Sequence, residues 1–120
     1  MLFKYSYNNK IHIKEEIAKH NSCPPHVLLR LFNEAKAIVL NTPVLDIRLS
    51  FCFLQCCIIK NKNFPIDSLE ELVKNKQDFF ILQSVVKNIN CPFHILKKVY
   101  KENEILKYLI PNHPNWRFND

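Results

Sequence analysis

Apolar residues recur along this chain at helical spacing, in stretches that end at short polar phrases containing Asn and Pro. Apolar positions three or four residues apart are typical of an amphipathic helix that buries one face. Phrases with Pro are typical of the connections between helices, because Pro is tolerated in the first turn of a helix but not in its interior. The pattern predicts helices over the stretches IKEEIAKH, FCFLQCCIIK, DFFILQSVVK and NEILKYLI.

One phrase occurs three times with the same spacing. An Asn is followed four residues later by Pro, eight later by Leu and eleven later by another apolar residue. The copies are Asn21, Pro25, Leu29 and Phe32; Asn61, Pro65, Leu69 and Leu72; and Asn88, Pro92, Leu96 and Val99. We predict that Asn ends one helix in the left-handed conformation and that Pro begins the next. Leu29, Leu69 and Leu96 should then be buried at equivalent positions.

The phrase divides the chain into similar segments. The best copies span residues 13–34, 59–75 and 78–102, and degenerate copies lie near residues 38–54, around Pro43, and near residues 104–118. Such repetition is typical of proteins in which each helix pair packs only against its neighbours. We expect residues 1–120 to form a single all-α domain, an irregular right-handed helical repeat (α-solenoid-like) of about 3–4 helix pairs. The alternative is an irregular helical bundle whose turns share Asn and Pro.

Two segments, IAKHNSCPPHVLLRLF and VVKNINCPFHILKKVY, resemble the variant leucine-rich repeats of bacteria, which read roughly A-x-N-P-x-[TC]-P-x-x-[VL]-L-x-x-L. The resemblance covers about residues 13–118 and departs from the pattern at Ser22 and Ile89, where the family has Pro after Asn. It implies alternating helices in a right-handed superhelix that serves as a binding scaffold. One member of that family holds an iron–sulfur cluster on cysteines that precede its repeats. No cysteine cluster precedes the repeats here, so the resemblance implies no cofactor.

The absence of glycine excludes several classes of nucleotide-binding and hydrolytic site. A P-loop, a GxGxxG fingerprint and a GxSxG nucleophile elbow each need Gly where the backbone approaches a ligand or takes a positive φ. The first residues lack a signal-peptide pattern, and no apolar stretch is long enough to span a membrane. Five cysteines, an odd number, suit a reducing compartment better than a disulfide framework. We expect a cytoplasmic protein without a membrane partner.

Two groups of residues are candidates for chemistry. Cys52, Cys56 and Cys57 lie close together on one predicted helix, but a structural zinc site needs four ligands, and the three thiols fit core packing better. The phrase HNSCPPH and the residues Cys91 and His94 offer Cys–His pairs, but no acidic residue nearby in the sequence would orient them. We therefore predict no catalytic residue, no metal site and no cofactor, and hence no enzyme.

The net charge of +6 suits an acidic protein or a nucleic acid as the partner. Arg30, Lys97, Lys98 and Lys101 are predicted on the second helices of the repeated units, and Trp116 lies near the C-terminus. We predict a non-catalytic binding protein that acts on a protein partner through one face containing these five residues. A toxin-neutralising immunity or inhibitor protein is the specific form of this hypothesis.

The alternative function is nucleic-acid binding. In that reading the same basic residues contact phosphates, while Tyr100, Trp116 and Phe118 stack on bases. Against it, aromatic residues are also needed to fill a core, and Glu70 and Glu71 interrupt the basic row.

Overall fold

The computed structural model describes residues 2–75 and 78–118, with side chains from residue 10 onwards. This part of the chain forms six α-helices followed by two short 3₁₀ turns, and it contains no β-strand. The helices are α1 Leu2–Lys19, α2 Pro25–Asn41, α3 Leu45–Ile59, α4 Ile66–Lys74, α5 Phe79–Lys87 and α6 Phe93–Glu102; the 3₁₀ turns are Leu106–Tyr108 and Ile110–Asn112. The prediction of an all-α fold is confirmed. The molecule measures 55 × 30 × 20 Å.

We call α1, α3 and α5 the leading helices and α2, α4 and α6 the trailing helices. Each leading helix is connected to the trailing helix after it by a turn that contains one copy of the repeated phrase. The leading helices pack side by side, α1 on α3 and α3 on α5, while α4 contacts both α5 and α6. All six helices and both 3₁₀ turns contribute buried side chains to one core, in which Ala18 of α1 is fully buried. The largest fully buried apolar side chains are Leu28, Leu54, Ile58, Ile59, Leu69, Val85, Leu96, Val99, Leu106 and Ile110.

The three trailing helices begin in the same way. Pro24, Pro65 and Pro92 each precede the first helical residue in an extended conformation, with φ between −61° and −75°. The proline ring favours this φ, and the missing N–H costs nothing at a helix start. Each proline carbonyl accepts the first helical hydrogen bond over 3.2 Å, and the donors are the amides of Leu28, Leu69 and Leu96 respectively.

The equivalent bonds of Leu28, Leu69 and Leu96 correct the alignment predicted for the first copy of the phrase. Leu28, Leu69 and Leu96 are all fully buried, whereas Leu29 is only half-buried. The predictions for Leu69 and Leu96 are confirmed, and the prediction for Leu29 is wrong. The reason is that two prolines are adjacent in this copy. The helical hydrogen bonds start at the first of them, Pro24, and not at the second.

Asn88 ends α5 as predicted, but in a different conformation. Its φ of −71° and ψ of 121° are extended, so the prediction of a left-handed residue is wrong. The side-chain amide of Asn88 is hydrogen-bonded to the backbone before the preceding trailing helix. Asn is therefore used here for its two N–H donors and not for its tolerance of positive φ.

The segment around Pro43 differs from the other turns. Thr42, Pro43 and Val44 connect α2 to α3 and are held by local bonds. The Val44 N–H donates to Thr42 Oγ1 over 3.3 Å, and the Arg48 guanidinium donates to the Thr42 carbonyl over 3.0 Å. With 17 and 15 residues, α2 and α3 are longer than the 9- or 10-residue helices that follow. They form a long hairpin with the most extensive helix–helix contact in the described chain.

Candidate interaction surfaces

Four turns share one hydrogen-bond pattern: turn 1 (residues 20–24), turn 2 (61–65), turn 3 (88–92) and turn 4 (113–116). In each, the backbone N–H of the fourth residue donates to the carbonyl of the first, over 2.9–3.1 Å. The first residue is His or Asn, and its side chain accepts the backbone N–H two residues later, over 2.8–3.0 Å. The segment near the C-terminus therefore forms a turn like the three before it.

The first residue of turns 2 and 3 binds the turn before it. The Asn88 side-chain nitrogen donates to the carbonyls of Ile59, over 2.7 Å, and Asn61, over 2.8 Å. The Asn61 side-chain nitrogen donates in the same way to Ala18, over 2.7 Å, and His20, over 3.0 Å. Asn88 and Asn61 are buried, with 0% and 8% of their surface exposed. Because the oxygen and both hydrogens of each amide are bonded, neither buried side chain lacks a partner.

His113 takes the same place in turn 4. Its Nδ1 lies 2.9 Å from the backbone nitrogen of Asn115 and accepts that N–H, which leaves the ring proton on Nε2. Nε2 lies 2.7 Å from the Asn88 carbonyl oxygen and donates to it. His can replace Asn here because each offers an acceptor and a donor on one planar group.

A second series of side chains, two residues further on, adds a parallel row of bonds between turns. Their side-chain nitrogens donate over 2.7–3.1 Å to the preceding turn: Asn63 to Asn21 and Cys23, Asn90 to Lys62, and Asn115 to Ile89 and Cys91. The repeated phrase Asn-x3-Pro did not predict a role for these residues. The signal that could have found them is the pair of asparagines two residues apart in NKNFP and NINCP.

The equivalence of the turns brings exposed apolar side chains to the same place on successive units. The eighth residue before turns 2, 3 and 4 is Phe53, Phe80 and Ile105, and these side chains are 60%, 66% and 67% exposed. We call them the apolar row. Single exposed apolar residues are common on proteins, but a repeated series of them is typical of an interaction surface.

A row of lysines lies at the C-terminal ends of the leading helices. The residue directly before turns 1, 2 and 3 is an exposed lysine in every case, and Lys19, Lys60 and Lys87 form what we call the lysine row. Residues seven apart share one face of a helix, so the lysine row and the apolar row lie on the same face of α3 and α5. At 1.5 Å per residue the two rows are about 10 Å apart.

The exposed apolar surface continues along α3. Leu45 and Leu49 lie eight and four residues before Phe53, on the same helix face, and are 61% and 57% exposed. A shallow groove of about 530 Å³ runs between α1 and α3 and is lined by Ile11, His12, Glu15, Leu49, Ser50 and Phe53. The leading helices α3 and α5 thus carry four strongly exposed apolar side chains: Leu45, Leu49, Phe53 and Phe80.

The residues predicted to bind a partner lie elsewhere. Lys98 and Lys101 are exposed on α6, Lys97 is half-buried on the same helix, and Arg30 is exposed on α2. The structure brings Lys97 and Trp116 together, because both contact Phe93. Arg30 instead lines a separate groove between α1 and α2, at the first helix pair.

Trp116 belongs to a cluster of aromatic rings and cations at turn 4. Its ring centroid lies 5.3 Å from that of Phe93 and 4.8 Å from that of Tyr100. Three cations lie 5.2–5.9 Å from the ring centroids: Lys97 and Arg117 over Phe93, and Lys107 over Tyr100. Because the chain's own side chains pack on these rings, Phe93 and Tyr100 are poorly placed to stack on bases. Phe118 is 78% exposed.

Cys91 and His94 do not form a catalytic pair. Cys91 is fully buried, and burial raises the pKa of its thiol to about 12, so the sulfur stays protonated and non-nucleophilic. Its Sγ donates to the Pro92 carbonyl at 3.9 Å. The His94 Nε2 lies 2.7 Å from the Glu70 carboxylate on α4, so the expectation that no acidic residue lies near His94 is wrong. This exposed pair joins α4 to α6 and orients no nucleophile.

The other candidate thiols lie at the edge of the core. Cys57 is buried, Cys56 is half-buried against the hydrophobic core, and Cys52 is half-buried, so burial is complete only for Cys57. Burial is the largest cause that raises the pKa of each of these three thiols. Among the residues whose placement is described, no group of three or more His, Cys, Asp or Glu side chains is arranged to hold a metal ion.

A comparison with protein-family models, with curated proteins and with solved structures finds no match to this chain. The resemblance to variant leucine-rich repeats therefore stays an expectation. Within residues 2–75 and 78–118, none of the helices combines the length and the apolar character needed to cross a membrane.

Proposed function

We propose that this chain is a non-catalytic helical-repeat protein that binds an acidic protein partner through its leading helices. The observation that carries the proposal is the apolar row beside the lysine row on one face. An apolar row gains free energy when a partner covers it, at about 25 cal/mol per Å² of apolar surface removed from water. The flanking lysines favour a partner whose own apolar patch is bordered by carboxylates.

The repeat architecture is supported by the turns. Asn61, Asn88 and His113 make equivalent bonds to the turn before them, so each helix pair is joined to its neighbour in the same way. Equivalent contacts between successive units are what helical-repeat proteins use to build an extended surface. In the proposed repeat, the long α2–α3 hairpin is the main irregularity.

The free thiols support the cytoplasmic setting that belongs to this proposal. All five cysteines are free, which supports a reducing, cytoplasmic location. A toxin domain neutralised by this chain is the specific partner we propose, as the sequence analysis suggested for a small binding protein. That form of the proposal is tested by whether the captured partner is toxic in cells that lack this chain.

The experiment is capture of partners from a nuclease-treated lysate of the native cells, using matched variants. Phe53→Asp removes an exposed apolar side chain of the apolar row that adjoins the exposed Leu45 and Leu49. Lys60→Glu reverses a charge in the lysine row, and Lys98→Glu makes the same change on a trailing helix. We expect Phe53→Asp to reduce capture at least tenfold, because interface energy concentrates in apolar anchors. Lys60→Glu should reduce capture several-fold, because an exposed charge mainly steers the encounter, and Lys98→Glu should leave it within about twofold.

The opposite pattern of capture would assign the partner-binding site to the trailing helices. If Lys98→Glu abolishes capture and Phe53→Asp does not, the partner binds the trailing helices, where Arg30, Lys97, Lys98 and Lys101 were predicted to act. Binding that Phe53→Asp and Lys60→Glu both leave unchanged would refute the leading-helix site.

Nucleic-acid binding is the second candidate, and the cluster around Trp116 favours it. Lys97, Lys107 and Arg117 gather there within 6 Å of two ring centroids, and cations so placed can contact phosphates. Loss of all captured material after nuclease treatment would support this candidate over the protein partner.

A further inference from the structure

The bonds between turns have a direction. Each turn donates side-chain N–H groups to the backbone carbonyls of the turn before it, and its own carbonyls accept from the turn after it. The two ends of this series therefore differ. In the described chain, turn 1 has no turn before it and turn 4 has none after it.

At the turn 1 end, the donor is present without its acceptor. The Nδ1 of His20 accepts the Ser22 backbone N–H over 3.0 Å, as His113 does with Asn115, so the proton of His20 lies on Nε2. In turn 4 this Nε2 donates to the preceding turn. In turn 1 the exposed His20 side chain lines a shallow groove of about 520 Å³, together with Glu16, Ile17, Ser22, Cys23, Pro24 and Val27.

Core-type residues are also uncovered at this end. Ile17 is three residues before turn 1 and is 40% exposed, while the equivalent residues Ile58, Val85 and Ile110 are 0–1% exposed. Ile13 is seven residues before turn 1 and is 59% exposed, while its equivalents Leu54, Ile81 and Leu106 are 0–4% exposed. The first leading helix thus carries the apolar residues that are buried in every later unit.

The turn 4 end offers the complementary groups. The carbonyl of His113 stands where those of His20, Asn61 and Asn88 accept a bond from the following turn. Leu109, four residues before turn 4, is 42% exposed, whereas the residues at this place in α3 and α5, Cys57 and Ser84, are 6% and 4% exposed. This end therefore presents an apolar side chain and backbone acceptors without a following turn.

We propose that copies of this chain associate head to tail, with turn 4 of one copy seated against turn 1 of the next. The occupant of the groove at turn 1 is a second copy, because the contact would continue the one that joins turns 1, 2, 3 and 4 within a copy. Such an interface is heterologous, so the same two surfaces can add further copies. It uses the two ends of the molecule and leaves the members of both rows on α3 and α5 open, namely Phe53, Lys60, Phe80 and Lys87.

Charge has only a small effect on this association. Lys107 and Arg117 lie at the turn 4 end, whereas the turn 1 end carries both Lys10 and Arg30 and the carboxylates of Glu16 and Glu34. Salt screens attraction and repulsion alike, with a Debye length of about 10 Å at 0.1 M. Association through the apolar side chains should therefore depend only weakly on salt, whereas binding to nucleic acid weakens steeply as salt rises.

The test is sedimentation velocity of the full chain and of two variants, each blocked at one end. Ile17→Glu places a charge at turn 1, and Leu109→Glu places one at turn 4. We expect the wild-type protein to associate as its concentration rises and each variant alone to stay monomeric. An equimolar mixture of the two variants should reach about twice the monomer mass and stop there, because one intact end remains on each copy.

Other outcomes overturn the proposal. If the wild-type protein stays monomeric at millimolar concentration and high salt, the proposed head-to-tail association is refuted. If one blocked variant still dimerises alone, the contact pairs identical ends and is not head to tail. Phe53→Asp is the matched control and should associate like the wild type, so loss of partner capture with intact association separates this inference from the proposed function. If Ile17→Glu fails to fold, Ile13→Glu at the more exposed position replaces it.

Discussion

The side-chain amide of Asn88 donates to the backbone carbonyl of Asn61 over 2.8 Å, so residues at the same place in two successive turns are directly joined. The same amide donates to Ile59, and its oxygen accepts the N–H of Asn90. One buried side chain thus closes its own turn and attaches it to the turn before. This double role explains why an amide, or an imidazole, begins turns 2, 3 and 4.

Replacing Asn88 should therefore destabilise the protein strongly. Asn88→Ala leaves the Ile59 and Asn61 carbonyls without their donor, and each lost buried bond costs about 1–3 kcal/mol. We expect a loss of about 2–5 kcal/mol in urea melts. Asn88→Val and Asn88→Gly should cause similar losses, because the extended backbone of this residue penalises neither and both lack the amide.

Asn90→Ala is the matched control for this change. Asn90 is exposed and makes one side-chain bond to the preceding turn, with the Lys62 carbonyl. Its replacement should cost less than about 1 kcal/mol, since an exposed carbonyl can bind water instead. Equal losses of unfolding free energy for Asn88→Ala and Asn90→Ala would show that the buried bonds of Asn88 stabilise the protein no more than the exposed bond of Asn90.

His113→Asn should be tolerated. The acceptor and donor of His113 contact Asn115 and Asn88, and an Asn makes both kinds of bond in turns 2 and 3. We expect His113→Asn to stay within about 1 kcal/mol of the wild type and His113→Ala to lose about 1–3 kcal/mol. If both variants lose the same stability, the ring of His113 contributes packing and not hydrogen bonds.

The corrected alignment of the first copy makes a quantitative prediction. Leu28→Ala should cost about 2–5 kcal/mol, as Leu96→Ala should, because both remove a fully buried side chain. Leu29→Ala should cost less than half as much, because Leu29 is half-buried. Urea unfolding of the three variants at one pH provides the comparison, and a larger loss for Leu29→Ala would favour the original alignment.

The sequence was sufficient to predict the leading helices and the prolines that precede the trailing helices. Those features depend on local chemistry: apolar spacing within a helix, and the fixed φ of Pro65 and Pro92. The helix predicted over NEILKYLI is wrong, because this stretch forms the 3₁₀ turns Leu106–Tyr108 and Ile110–Asn112.

The first copy was misaligned because its Asn, Asn21, is the second residue of turn 1, whereas Asn61 and Asn88 are the first residues of their turns. His20, the true equivalent of Asn61, could not be recognised from a pattern built on Asn alone.

The candidate surfaces were harder to predict, for a physical reason. Phe53, Phe80 and Ile105 form a row only because the turns after them are joined by hydrogen bonds between distant residues. The spacing between turns is irregular, since the α2–α3 hairpin is longer than its counterparts, so a fixed period along the sequence does not align these residues. The asparagines bond to carbonyls in a neighbouring turn that is distant in the sequence. The sequence of one turn therefore does not reveal these bonds.

Cys91 should resist thiol reagents in the folded protein. Burial raises the pKa of its thiol to about 12, and the reactive thiolate is therefore scarce at pH 8. We expect Cys52, which is half-buried, to be labelled first and Cys91 only on unfolding, followed by mass spectrometry of labelled peptides. Rapid labelling of Cys91 under native conditions would contradict its burial.

The same thiol makes stability depend on alkaline pH. The unfolded thiol titrates near pH 9 and the folded one near 12, so its contribution is complete below pH 9 and is lost as pH rises between these values. The loss should approach about 1.4 kcal/mol for each pH unit in that window. Cys91→Ala lacks this titration, so the stability gap between wild type and variant should narrow between pH 8.5 and about 10.5. A constant gap would mean that the folded thiol titrates normally.

Binding kinetics should separate the two rows of the leading face. Once a partner is captured, Lys87→Glu is expected to slow its association several-fold, because an exposed charge mainly steers the encounter. Phe80→Ala is expected to speed dissociation instead, because apolar contacts in the centre of an interface keep the complex together.

Raising the salt from about 50 to 200 mM should then cost less than about tenfold in affinity, whereas six or more phosphate contacts would cost about a thousandfold. Stopped-flow measurements over this salt range provide both rates. A steep salt dependence that Lys98→Glu reduces and Lys87→Glu does not would place an anionic polymer on the trailing helices.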